Sequence, residues 1–391
     1  MEEEEEEVSR RLSSTQSTQT SKSSSKNNDF YRLTLKDILK LCSTLLLPLV
    51  LGVFTVISTF QQRNIAEEQR VEDRKIAELQ RNLERNLAAE RYKQELFDTY
   101  IKEIGVLLLE NNGSLTSNSV VSTLARVKTL NLFRLMDSRD NIRIIRFLHE
   151  TEQLSQTLEE PSLDLSSAKL QYIDFRELAI NKKYLNKLSL ASTFLHDSVF
   201  INMQLNDIIF SHSHFYTADF SSMILRNGNF THAYLNNIDF SHVYIKNTDF
   251  SFAELNNVNF TSSQLLHVNF TSTKLYNVDF SHNYIQNTDF SFANLQNVKF
   301  TSSHLIDINF MLSKFNNVDF LSSQSNFIHL SYINFDGAQF HNVNFAFVKF
   351  YQAKFSDTQH KNSNFSSSVL SKQLKILDII FLLINLTFSP Q

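Results

Sequence analysis

Between Leu165 and Leu370 the chain places a large apolar residue at every fifth position. All 42 positions divisible by five in that span are Leu, Ile or Phe, except Ser325 and His360. A helix repeats apolar residues every three or four positions and a strand every two, so a single helix or a single long strand does not account for the spacing. A second signal sits two residues earlier. Ala233, Ile238, Val243, Thr248, Ala253, Val258, Ser263 and Val268 are nearly all small or β-branched, and the residue between the two is usually polar.

Two side chains two apart on one face, with a polar residue between them, describe a short β-bridge. If the chain turns about 90° after each bridge, five residues make one side of a square and twenty make a coil. Coils stack at the strand spacing of about 4.8 Å, so residue n lies beneath n + 20. This predicts a mainly β repeat solenoid over residues 161–370, with a core that only stacked neighbours can share. A finer period supports it. Phe240, Phe260, Phe280, Phe300 and Phe320 form one predicted ladder, and Phe230, Phe250, Phe270, Phe290 and Phe310 the opposite one. Leu235, Leu255, Leu275 and Leu295, and Ile245, Leu265, Ile285 and Leu305, form the two aliphatic sides. Residues 241–280 and 281–320 are identical at 26 of 40 positions, which reads as a duplication of two coils. Asn237, Asn247, Asn257, Asn277, Asn287 and Asn297 recur where corners should fall, and Asn tolerates the left-handed backbone of a tight turn.

The pattern resembles the pentapeptide-repeat family, whose motif is A(D/N)LXX. Instances here are "SAKLQ" at 167–171, "FAELN" at 252–256 and "FANLQ" at 292–296. The resemblance implies a right-handed quadrilateral β-helix of about ten coils, roughly 50 Å long at that strand spacing. The helical stretch from Tyr100 to Leu154 also resembles a region that precedes such repeats in some membrane-anchored members. Core positions Ser325 and His360 depart from the pattern, and a bulge or loosened coil is expected around "LSSQSNFIHL" and "DTQHKNSNF".

Upstream the periodicity changes. Residues 1–28 are acidic and then Ser/Thr/Lys-rich, which predicts a disordered tail, with the run Glu2–Glu7 a solvated feature rather than a docking site. After a juxtamembrane segment at 29–40, residues 41–60 run twenty positions without a charge. That is the length of a helix spanning a bilayer core, and the forty-residue polar lead argues against a cleaved signal. The twenty residues before this span hold five Lys/Arg and the twenty after it hold four beside five acids, a small lean toward a cytosolic N-terminus. Residues 61–110 predict a long helix with a stripe at Ile76, Leu79, Leu83 and Leu87. The stripe is a coiled-coil candidate, although short for one. Residues 111–160 predict a small helical module with two amphipathic helices about a turn at Asp137–Ser138. Its Arg residues alternate with core apolars, which favours packing over DNA binding. The apolar segment 371–391 is too short for a second span and suits a cap on the open last coil.

Composition removes several function classes. Net charge is −4 over 391 residues, and residues 161–370 hold 15 Asp/Glu against 13 Lys/Arg. No global field points to nucleic acid, and duplex mimicry, by which some pentapeptide-repeat proteins protect gyrase, asks for a strongly acidic surface. The one cysteine, Cys42, excludes an intrachain disulfide. Phosphate loops, Cys/His metal spacings and nucleophile motifs are absent from the sequence. His212 and His232, twenty apart, could share a metal but read better as solvated surface histidines. Asp249 and Asp289, forty apart, are too distant for acid–base work. No enzyme activity, cofactor, nucleic acid or small-molecule substrate is therefore expected.

The expected partners are a membrane, through a single span, and a protein. Homo-oligomerisation through the 61–110 helix or the C-terminal cap is a further expectation. Outward Tyr244, Phe252, Tyr284 and Phe292 are the candidate partner-binding strip. Inhibition of a DNA-handling enzyme by duplex-mimicking shape is the alternative. Sequons stand at Asn112, Asn229, Asn259, Asn269, Asn364 and Asn385, and those at Asn229, Asn259, Asn269 and Asn364 arise from the repeat itself.

Overall fold

The computed structural model describes residues 36, 39–40, 42–156, 161–179, 183–321 and 328–370. The predicted disordered tail, most of the juxtamembrane segment, Ser325 and the predicted C-terminal cap lie outside the described residues. The chain divides into two compact units, Met1–Asn86 and Leu87–Gln391.

The first unit holds the N-terminal part of one continuous helix, α1 (Leu47–Glu110), preceded by a π-helical turn at Cys42–Leu46. The predicted span and spacer are thus one helix without a break at residue 60. Pro48 follows the π-helical turn directly, and a local π adjustment is one way a helix accommodates a proline that brings no N–H. Leu45–Phe60 are exposed apolar residues for the most part, and Ile76, Leu79 and Leu83 are exposed as well.

The second unit begins with the last turns of α1 and two shorter helices, α2 (Ser119–Leu135) and α3 (Ser138–Glu150). Asn118 and Asp137 start α2 and α3 as side-chain N-caps, accepting from the Val120 and Asp140 amides. Ile142, Ile145 and Leu148 bury the inner stripe of α3, and the Tyr100 hydroxyl bonds Thr129 Oγ1 at 2.8 Å inside the helical core. These helices adjoin the first coil. Arg126 Nη2 donates to the Ser166 carbonyl at 3.0 Å, His149 Nε2 lies 2.9 Å from the Asn186 carbonyl, and the Ser189 amide donates to the Leu154 carbonyl at 2.8 Å. A solenoid end is an open sheet edge, and here the helices occupy it.

The remainder is a parallel β-solenoid. Two ten-stranded parallel sheets face one another, one running from Lys169–Gln171 to Gln359–Lys361 and the other from Tyr184–Asn186 to Val369–Leu370. Isolated parallel bridges such as Asp219↔Asp239 and Asp249↔Asn269 form the other two sides, so the coil has four faces. Every fifth described residue from Lys187 to Ser367 turns a corner in left-handed backbone, with φ between 51° and 61° wherever the residue is not Gly.

The core follows the two predicted Phe ladders. Within a ladder the rings stack, as at Phe240–Phe260 (4.9 Å, 6°) and Phe250–Phe270 (5.1 Å, 10°). Across the axis the ladders meet edge to face, as at Phe240–Phe250 (6.1 Å, 84°). Both are favourable quadrupole geometries, and a fully buried Phe at each step leaves little void for water.

The outward polar residue before each Phe has a task. Asp239, Asp249, Asn259 and Asn269 each accept the backbone N–H two residues on through Oδ1, at 2.7–3.0 Å, which closes the turn after the Phe. Asn259 Nδ2 also donates to Asp239 and Asn269 Nδ2 to Asp249, one coil earlier. An Asp-only column would stack like charges about 4.8 Å apart. Asp219 and Asp239 are adjacent, but from Asp239 to Asp319 an Asn or Lys stands between successive Asp residues, and this gives the forty-residue period a physical reason.

Two expectations are corrected. The n over n + 20 register fails twice, because Leu170 pairs with Leu195 and Phe315 with Phe340, 25 residues apart. Both extra pentads enter at the same corner of the coil, between Phe175 and Leu185 and between Phe320 and Leu330. The second coincides with the expected irregularity near Ser325. The other, at 357–365, does not loosen the coil. Gln359–Lys361 pairs regularly with Gln339–His341, and the His360 ring stacks on Phe340 at 4.8 Å.

One buried polar column runs through the small-residue positions. The Val243 amide donates to Ser263 Oγ (3.0 Å), the Ser263 amide to Asn283 Oδ1 (2.8 Å), and the Asn283 amide to Ser303 Oγ (3.0 Å). Asn283 Nδ2 is buried with no partner. Asn283→Ser should therefore keep the chain of bonds and change stability by less than about 1 kcal/mol, in either direction. Asn283→Ala orphans the Ser263 amide and should cost about 1–3 kcal/mol. Urea denaturation of the two variants checks this pair of outcomes.

Candidate interaction surfaces of the solenoid

Outward side chains form columns, one residue per coil. The four sequence candidates fall on two of them. Tyr244 and Tyr284 lie in the sheet that pairs Tyr244 with Gln264 and Gln264 with Tyr284. The Arg226 guanidinium lies over the Tyr244 ring at 5.5 Å, and the Tyr284 hydroxyl donates to Gln286 Oε1 at 2.9 Å. Phe252 and Phe292 lie at a corner beyond the next face. The four residues therefore do not make one strip, because eight residues of coil carry the chain around an entire face between Tyr244 and Phe252.

Phe252 and Phe292 are corner residues with φ of 58° and 59°, and they are 55% and 53% exposed. Leu312 follows in the same column at φ 59° and 46% exposed. Left-handed backbone costs a bulky L-residue about 1–2 kcal/mol, and Asn or Gly much less. Most corners accordingly carry Asn, Ser, Asp or His, and this edge instead carries exposed apolar rings.

Sequence reading paired His212 with His232 but missed their continuity with Phe252 and the face beside that edge. His212 stacks on His232 (4.7 Å, 3°), and His232 stacks on Phe252 (5.0 Å, 9°). On the adjoining face Phe194 stacks on His214 (4.9 Å), and His214 leans on Tyr234 (5.8 Å). His196 meets Tyr216 at 5.2 Å, and Tyr216 meets Tyr234 at 5.7 Å. The Tyr216 hydroxyl donates to Tyr234, which favours its protonated form and holds it above the usual phenol range. The signal was present as aromatic or His residues twenty apart at outward positions. The His212 and His232 rings lie parallel, and among the described residues no group of three or more His, Cys, Asp or Glu could hold a metal.

Asp249 and Asp289 sit two steps apart in the bridge column, with Asn269 between them. Each carboxylate caps its own corner. A cleft of about 650 Å³ lies where Phe133, Arg134 and Asn141 of the helices approach Lys169 and Tyr172 of the first coil. It has the size of a ligand site, and Asp137, Ser138 and Ser167 also line it.

Two family models match the chain: the pentapeptide repeat region over residues 235–310, and pentapeptide repeats (8 copies) over residues 326–358. No curated protein matches it. Similar solved structures include HetL, a pentapeptide repeat protein involved in heterocyst differentiation regulation from the cyanobacterium Nostoc sp. strain PCC 7120. HetL is 17% identical over 53% of this chain and 88% of its own, with a TM-score of 0.39. QnrB1, a plasmid-mediated fluoroquinolone resistance protein, is 15% identical over 52% and 90%, with a TM-score of 0.31. A pentapeptide repeat protein from the Arabidopsis thaliana thylakoid lumen is 24% identical over 27% and 63%, with a TM-score of 0.15. At these scores none of them carries an argument about activity or partner. The matched segments lie inside the ten-rung solenoid, and the chain carries pentapeptide repeats over residues 235–310 and 326–358.

Proposed function

We propose that the protein is a single-pass membrane-anchored scaffold whose solenoid binds a protein partner without catalysis. The observation that carries the reading is the corner edge of Phe252 and Phe292. Two exposed rings are kept there in backbone that a polar corner residue would adopt more cheaply. A rigid row of aromatic side chains at fixed spacing suits the anchor residues of a protein interface. Tyr244 and Tyr284 offer a second, separate row.

The anchor reading draws support from α1, which is long and apolar enough to cross a membrane, with a mean hydropathy of 2.0 over its most apolar stretch and none of that stretch buried. The Lys/Arg balance around it, five before and four after, leans toward a cytosolic N-terminus and so toward a solenoid on the opposite side. The exposed stripe at Ile76, Leu79, Leu83 and Leu87 is where a second copy would pair. Duplex mimicry has less support. Lys299 interrupts the acidic column between Asp279 and Asp319, and Arg226 and Lys246 pair side by side on another face.

The test separates stability from binding. Phe292→Asn should stabilise the chain by about 1 kcal/mol, the relief of a left-handed bulky residue. Phe252→Asn should be near neutral, because it also loses the stack on His232. Together they should abolish partner capture by the solubilised full chain, measured against the unsubstituted protein. Undiminished capture by a folded double variant would remove this edge from the proposed interface.

A further inference from the structure

We infer that Asn112 is the N-glycan acceptor of the folded protein, and that the sequons inside the solenoid are not. The inference rests on the proposed placement of the solenoid opposite the cytosol.

An acceptor asparagine must offer a free amide nitrogen on an accessible turn, with room for a bulky polar substituent. Five of the six sequons fall on described residues, and four of those fail on geometry. Asn259, Asn269 and Asn364 each donate Nδ2 to the residue one coil earlier, to Asp239, Asp249 and Asn344 at 3.0–3.2 Å. Their Oδ1 atoms accept the amides of Thr261, Thr271 and Ser366, so both ends of each side chain are held. Asn229 accepts both the amide and the hydroxyl of Thr231, the sequon's own third residue. In all four the middle residue is a core Phe: Phe230, Phe260, Phe270 or Phe365. A glycan on Nδ2 of Asn259, Asn269 or Asn364 would break the bond to the coil before it, and on Asn229, half-buried at a bridge position, it would sit between coils about 4.8 Å apart.

Asn112 differs at each point. It is exposed, in the turn that ends α1, with φ 54°. The turn is already closed without it. The Gly113 amide donates to the Leu108 carbonyl (2.8 Å), and Asn111 Nδ2 donates to the Leu107 carbonyl (2.8 Å). Among the described residues the Asn112 amide has no hydrogen-bond partner, and Gly113 at the middle position places no side chain beside it. A substituent on Nδ2 therefore displaces nothing.

The experiment uses the full chain in microsomal membranes of a eukaryotic host. Peptide-N-glycosidase sensitivity reads the glycan, and protease protection reads the side independently. With the sixth sequon silenced by Asn385→Gln throughout, the expected result is one glycan on the protected chain, absent when Asn112→Asp is added. Asp tolerates the left-handed turn, so that variant should fold. A protected chain without a glycan, or with one that persists in Asn112→Asp, overturns the inference while leaving the topology intact. A protease-accessible solenoid without a glycan overturns the inference together with the topology on which it rests.

Discussion

A single Gly inserted after His282 should destabilise the solenoid by about 2–6 kcal/mol, whereas a five-residue Gly/Ser segment at the same point should cost no more than about 1–2 kcal/mol. The corner at His282 belongs to the same column as the two places where the chain already carries an extra pentad. One added residue leaves two outcomes. The C-terminal coils could slip by one, which would carry Phe290 and every later Phe out of the core. The cheaper outcome is a bulge that breaks the ladder bonds flanking the corner, from the His282 amide to the Thr301 carbonyl and from the Tyr284 amide to the Ser263 carbonyl. Leaving buried backbone groups unpaired costs about 1–3 kcal/mol each. Five added residues can leave the ladder as a loop and return in phase, and the closure entropy of a short loop grows only slowly with length. Denaturant titration of both variants beside the unsubstituted chain decides it. A five-residue insertion as damaging as the one-residue insertion would show that pentad phase does not set the register.

The same physics explains what was legible in the sequence. Phase is written at every fifth residue, because any large side chain out of step meets solvent on one side and leaves a void on the other. The ladders Phe240–Phe260 and Phe250–Phe270 and the four faces could therefore be read directly. Register is not written that way. An extra pentad preserves the phase, so the 25-residue steps from Leu170 to Leu195 and from Phe315 to Phe340 leave no trace in a test of every fifth position.

The surfaces were less legible, for a related reason. Outward residues answer to neighbours twenty away rather than to a local period, so the row of Phe194, His214 and Tyr234 looks like scattered aromatics until the coils are stacked. Phe252 could be recognised as outward, but not as a corner. The corner signal was Asn, and Phe252 and Phe292 occupy left-handed positions against that preference. The separation of Tyr244 from Phe252 likewise follows from where the coil turns, which spacing along the chain does not display.

His360→Phe should raise stability near pH 4–5 by about 3 kcal/mol and much less above pH 7. His360 takes a core position in the column Leu275, Leu295, Phe315, Phe340. Burial lowers its pKa from 6.5 to about 4, its Nδ1 has no partner, and its Nε2 lies 3.0 Å from Thr358 Oγ1. The unfolded chain returns this imidazole to its ordinary value near 6.5. Between those two values the unfolded state binds the proton and the folded state does not, so stability falls as pH drops through that window. A shift of that size corresponds to about 3 kcal/mol, fully expressed only near the folded value. Phe removes the titration and extends the ring stack from Phe315 through Phe340. Thr358 keeps its bond to the Phe355 carbonyl, so its hydroxyl is not orphaned. Because a repeat array can open from its ends, the effect should appear first as slower amide exchange in residues 355–365 at acid pH. Carboxylates also titrate in this range, and the informative quantity is the difference in pH slope between His360→Phe and the unsubstituted chain. Parallel slopes would show that the buried imidazole is already protonated in the folded state.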